Sequence, residues 1–262
     1  MLRGGCDYLC AMKTIPVPLT DVDLEVSGLA VRYRRANGPL IVLMNRIGGS
    51  LEAQLNLLPD GVRDQLNAVT AAALSRAMDV AGVGARAPDL GSRGPVVAAM
   101  LSGAAGGVGG IVTAMAELPV TITIILHAIR RAAVANGFDP DTPAIRAECL
   151  AVFGAASPLA GDDGINSSFL GARLAVTGPA LQALIARVAP RIAVALGPKL
   201  VAQSVPLLGA LAGAGLNAAY ISYYREIAEI RFGLLRLAER HGVDAVFVAF
   251  QQATQPTAIL KA

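Results

Sequence analysis

Three polar side chains in this 262-residue chain lie where charge is scarcest: Glu117, Lys199 and Asn217. Glu117 is the one charged residue among the 33 from Gly94 to Leu126. Lys199 stands directly before 25 residues, Leu200 to Tyr224, that hold no Asp, Glu, Lys or Arg, and Asn217 lies among them. A carboxylate, an ammonium and a carboxamide are the groups of an acid–base or electrostatic site, provided a cleft makes them converge. If the fold leaves the three far apart, that reading fails. A carboxylate within bilayer-depth residues would be costly and hence a functional candidate. The simpler reading places Glu117 at a hairpin corner facing water beside Pro119. Pro119 is kept with the other three as a candidate functional residue.

Other chemistry finds little support. His127 and His241 are the only histidines, and neither has a second histidine at ligand spacing. No zinc-hydrolase pattern and no other metal site is expected. Gly106-Gly107-Val108-Gly109-Gly110 lacks the Lys and Ser/Thr of a phosphate loop, and no strand precedes it. Asp162-Asp163 and the pair Asp139 and Asp141 read as solvated turn carboxylates. Cys6, Cys10 and Cys149 are an odd, sparse set that suits three free thiols in a reducing compartment. No cofactor is implied.

The glycines have a spacing of their own. Gly103 and Gly107, Gly106 and Gly110, and Gly209 and Gly213 are each four apart in nearly uncharged segments. Small residues at that interval let two helix backbones approach closely, in lipid or in a soluble core.

The elements that must position these residues read as helices. Leu43, Met44, Ile47, Leu51, Leu55 and Leu58 share one helical face, and Val62, Leu66, Val69, Ala73, Ala77 and Val80 share another, with Asp60 at its start. The oily run from Gly94 is expected to split at Glu117-Leu118-Pro119 into two helices, the second ending at Asn136-Gly137. Pro143 opens a further helix, and another runs from about Gly171 to Ala189. A later helix carries Tyr220, Tyr223, Tyr224, Ile227, Ile230, Leu234 and Leu237 on one face and ends at His241-Gly242. Asp21 to Tyr33 suggests a short strand or an amphipathic turn, and residues 243–250 fit either a strand or a short helix. The expected fold is all-α: a single-domain multi-helix bundle with two glycine-rich hydrophobic helical segments. Residues 1–38 form an irregular extension, 39–250 the helical domain and 251–262 a tail. Met12 is as plausible a start as Met1.

Composition narrows the class. Hydrophobic residues are 54% and charged residues 16% of the chain, with mean hydropathy +0.56. Average soluble domains carry about 25% charged residues. Yet aromatics are only 4% and Trp is absent, so the interfacial aromatic belts of a span-dense protein are missing. The net charge of +3 is scattered, which argues against a nucleic-acid surface and allows weak attraction to an anionic membrane.

The stretch LPVTITIILHAIRRAAVANGFDPDTPAIRAECLAVFG resembles the central signature of EcsC-family proteins. In them an acidic residue and Pro precede an apolar helix that ends at a Gly/aromatic-Asp-Pro turn. Glu117, Pro119, Gly137, Phe138, Asp139 and Pro140 occupy those positions. Lys199, Pro206, Gly209, Gly213 and Asn217 are similar to a downstream block of the family, and FGLLRLAERHG closes the resemblance, which covers roughly residues 40–242. The namesake is encoded beside an ABC transporter, so the resemblance implies an association with transport or envelope processes and not a mechanism. A protease label carried by some relatives is rejected, because the zinc ligands are missing.

Three readings follow. The first is a non-enzymatic helical protein on the inner face of the cytoplasmic membrane, its partner a membrane surface or a membrane protein such as an ABC transporter. The second is a soluble bundle enclosing a lipid or another apolar ligand. The third is an enzyme built on Glu117, Lys199 and Asn217.

Overall fold

In a computed structural model, residues 21–36, 60–84, 94–108, 111–155, 178–202 and 208–254 are described. They form eight helices and, among the described residues, no strand. These are α1 Asp21–Ala36, α2 Asp60–Gly84, α3 Gly94–Val108, α4 Ile111–Ala135, α5 Pro143–Ala155, α6 Gly178–Ala202, α7 Leu208–His241 and α8 Val243–Thr254. The fold is all-α, as the sequence implied. The amphipathic stretch 43–58 lies outside the described residues, as do the tail beyond 254, Cys6 and Cys10.

The long α7 is the axis of the bundle. Its 34 residues extend about 51 Å at the helical rise. α4 runs parallel to it: Glu117 meets Asn217 near one end, and Asn136 meets Glu229 near the other. α6 runs antiparallel, because Lys199 reaches the level of Asn217 while the Tyr220 hydroxyl donates to the Ala195 carbonyl at 2.7 Å. α3 folds back on α4 and packs along α7. α2 covers α4 and α6, and α5 fills the space beside α4, α6 and α7. The core is the stripe Ala114, Leu118, Ile122, Ile125 and Ile129 of α4 against Tyr220, Tyr224, Ile227 and Phe232 of α7, with Phe153, Ile192 and Leu196.

The turn after α4 shows why the chain reverses there. Gly137 has φ +83, open to glycine at little cost. Its amide bonds the Val134 carbonyl at 2.9 Å, and the Phe138 amide reaches the Ala133 carbonyl at 3.0 Å, which satisfies two end carbonyls of the helix. Gly242, with φ +87, ends α7 with a single bond, from its amide to the Ala238 carbonyl at 3.0 Å.

Four expectations need correction. The oily run does break in two, but not at Glu117-Leu118-Pro119: α3 ends at Val108, α4 begins at Ile111, and Pro119 lies inside α4. Burial of Ala114, Leu118, Ile122 and Ile125 carries the helix straight through Pro119. Residues 21–36 are a helix, not a strand or a turn in an irregular extension. Val22, Val26, Leu29, Ala30 and Tyr33 form a helical stripe there, buried or packed against the core. α6 does not stop near Ala189 but continues through Pro190 and Pro198 to Ala202. The fourth concerns Glu117 itself. Residues 243–250, left open between strand and helix, belong to α8.

Candidate functional site

Glu117 does not face water. It is 7% exposed, and Lys199 is 0% exposed and ion-paired with it. The two residues come from α4 and α6, and the Lys199 ammonium donates to Oε2 of the carboxylate. The other oxygen, Oε1, accepts from the Ser102 hydroxyl of α3 at 2.5 Å, from Asn217 Nδ2 of α7 at 2.9 Å, and from the Thr121 hydroxyl one turn along α4. Thr121 Oγ1 in turn accepts from Lys199 Nζ at 2.8 Å and from Asn217 Nδ2 at 3.3 Å. Four helices thus converge on one carboxylate through five side chains.

The charge balance is self-contained. Burial pushes the Glu117 carboxyl up, but the Lys199 charge and the bonds from Lys199, Ser102 and Thr121 outweigh it and hold the group below its ordinary value. Burial draws Lys199 below its ordinary value, with Glu117 opposing. A buried pair persists when its remaining hydrogen-bonding capacity is also filled, and Thr121, Ser102 and Asn217 supply that. Close approach is part of the arrangement. A Cβ on Gly106 would stand 2.9 Å from Glu117 Cβ and 3.2 Å from Oε2, so only glycine lets α3 lie this near.

The structure brings together Glu117, Lys199 and Asn217, the three that the sequence singled out. Pro119 joins none of the cluster's hydrogen bonds; its carbonyl accepts from Thr123 at 2.7 Å. Lacking an amide hydrogen, Pro119 leaves the Met115 carbonyl without its helical donor. Gly103 is buried in α3, Gly107 lies in the same helix, and Gly209 and Gly213 open α7, against which α3 packs. Gly110 lies outside the described residues. Thr121 and Ser102 were not anticipated. The first had a readable signal, since it sits four residues after Glu117 and so on the same helix face. The second had none, because its place depends on how α3 folds back.

A second buried polar set lies toward the other end. Arg231 bonds Glu148 at 2.7 Å, and Arg130 bonds Asp141 at 2.7 Å and the Pro140 carbonyl at 3.1 Å. Burial pushes the Cys149 thiol between them up to about 12 and draws Arg231 down to about 10. These pairs tie the loop after α4 and the helix α5 to the core. Among the described residues no cluster of three metal-ligating side chains occurs.

A helical bundle whose apolar helices are pinned by one enclosed carboxylate–ammonium pair defines the class. The chain belongs to the EcsC protein family, whose pattern it matches over residues 94–236, more than half its length. The match runs from the start of α3 to the last turns of α7 and so contains every member of the cluster. No curated protein and no solved structure matches the chain.

Proposed function

We propose that this protein is a non-enzymatic, membrane-associated helical protein that seats the α3–α4 hairpin end of its bundle in the cytoplasmic leaflet. One observation carries the reading. From Gly94 to Leu126 the exposed side of that hairpin carries no charge and is largely apolar: Val97, Met100 and Leu101 on α3 and Val112 and Val120 on α4 point outward, Leu101 at 68% and Val112 at 75% exposure. The single charge between Gly94 and Leu126, Glu117, is turned inward and paired with Lys199. Apolar side chains gathered on an exposed, charge-free surface favour contact with a membrane or a partner. The windows Val112–Ala135 and Ala180–Gly197 have mean hydropathies of 1.7 and 1.4, and 56% and 44% of them are buried inside the bundle. The core helix of any packed bundle passes the same test, so the outward residues carry the argument, not the windows.

A non-enzymatic role fits the cluster, where the carboxylate and the ammonium occupy each other and Lys199 is closed to solvent. Membrane proteins engaged in transport, an ABC transporter among them, are the neighbours the family resemblance favours. The test is flotation of the purified full chain with phospholipid vesicles. Wild type should float, and Leu101→Glu with Val112→Glu should remain in the dense fraction while keeping its circular dichroism. Wild type that fails to float with any vesicle, or that leaves cell membranes in a plain salt wash, would overturn the reading.

A further inference from the structure

We infer that the membrane contact is selective for anionic phospholipid, with Arg187 and Arg191 on the outer face of α6 as the headgroup-binding residues. The inference rests on the membrane reading above and adds the chemistry of the lipid.

Its first support is the distribution of acids. Between Asp89 and Asp139 the only Asp or Glu is Glu117, which is sequestered by Lys199. Between Asp163 and Glu226 there is none, while Arg173, Arg187, Arg191, Lys199 and Arg225 all fall there. α3, α4, α6 and the first half of α7 therefore expose no carboxylate, and their exposed charge is of one sign. The exposed carboxylates of the described residues belong to α1, α2, α8, the later half of α7 and the loop before α5.

The second support is position. α6 runs antiparallel to α4 and α7, so the depth of its residues can be counted from the cluster. Arg191 and Arg187 lie eight and twelve residues before Lys199, roughly 12 and 18 Å along the axis. They lie on the side away from the hairpin tip. Val112 lies about 8 Å from Glu117 toward the tip. Half of a hydrocarbon core is about 15 Å. Seating the tip in one leaflet therefore leaves the two arginines near the headgroups, where long basic side chains keep their charge in water and their stems in the apolar layer. Both arginines are exposed, one turn apart, beside exposed Ala183, Ala186 and Pro190, and neither forms an ion pair with another described residue. A guanidinium pairs with phosphate through two parallel hydrogen bonds.

The experiment compares vesicles of phosphatidylcholine alone with vesicles that also contain phosphatidylglycerol, using wild type, Arg187→Gln/Arg191→Gln and Leu101→Glu. Wild type should partition more strongly onto the anionic vesicles, and added salt should weaken that preference. The double arginine variant should lose roughly 30-fold on anionic vesicles, from about 1 kcal/mol per basic residue. It should change little on neutral ones. Leu101→Glu should weaken binding to both. An unchanged urea midpoint in the arginine variant shows that folding is intact. Equal binding of wild type to both vesicle types, or an arginine variant indistinguishable from wild type, overturns the lipid selectivity and leaves the membrane reading standing. Wild type that binds neither overturns both.

Discussion

Glu117 and Lys199 keep their charges in the interior because each has the other. Removing one leaves an uncompensated buried charge, which costs about 3–5 kcal/mol. Lys199→Met should lower the stability measured by urea unfolding by that amount, and Glu117→Leu should do likewise. The double variant should lose less than the sum of the two, since no lone charge remains. Acid gives a second check. The folded-state value of Glu117 lies below its ordinary 4.5, so the carboxylate contributes stability above that pH and loses it as pH falls through the folded value. Burial raises Glu148 in spite of Arg231, so that group acts in the opposite sense. Glu117→Gln should be less stable than wild type at neutral pH, and its urea midpoint should fall less steeply below about pH 4.5. Cys149 offers a third measurement. A fully buried thiol with a value near 12 is neither ionised nor reachable at pH 8. In a Cys6→Ser/Cys10→Ser background it should resist alkylation until the protein is unfolded by urea.

At the scale of elements, two glycines set how closely helices lie. A Cβ on Gly154 of α5 would come within 2.4 Å of Val188 Cγ1 on α6. Gly154→Ala should therefore cost about 1–3 kcal/mol, and Gly106→Ala, which crowds the Glu117 side chain, a similar amount. Calorimetric melting of the two variants would check this. The same elements show what could be read without the structure. Apolar stripes announced α2 and the later part of α7, and Gly137 and Gly242 announced two ends, because periodicity and left-handed backbone are local properties. The placement of Glu117 was not local. Pro119 suggested a corner with a solvated carboxylate, but Ala114, Leu118, Ile122 and Ile125 continue one stripe straight through it. Burial of that stripe outweighs one missing helical hydrogen bond. In α1 the same limit applies: Val22, Leu24 and Val26 alternate in sequence, yet Leu24 is exposed and Val26 buried, as a helix demands. The four-helix convergence on Glu117 depends on chain reversals that no single segment encodes, although scarcity of charge marked Glu117 and Lys199 and the family resemblance marked Asn217.

The whole molecule is polarised. One end carries the oily tip of the α3–α4 hairpin, and the other is clasped by α1 and α8 around the later half of α7. Arg32 bonds Glu226 at 2.6 Å, Arg240 bonds Glu25, and Tyr33 packs edge-on against Phe250 at 5.6 Å. Residues 21–36 are thus part of the bundle. Deleting residues 1–36 uncovers Phe250 and Gly233 and removes Val26 and Ala30 from the core, so it should cost at least about 3 kcal/mol in urea unfolding. It should leave vesicle flotation intact where the shortened chain still folds, because the clasp lies at the opposite end from the hairpin. The ion pair at the hairpin end also has a meaning in time. Its carboxylate and ammonium are 82 residues apart in the chain. A ribosome adding roughly 5–20 residues per second needs about 4–16 s to travel that distance. Through that interval the newborn hairpin has its oily surface and its carboxylate but not the lysine that neutralises it, so birth order makes this the segment most dependent on outside company.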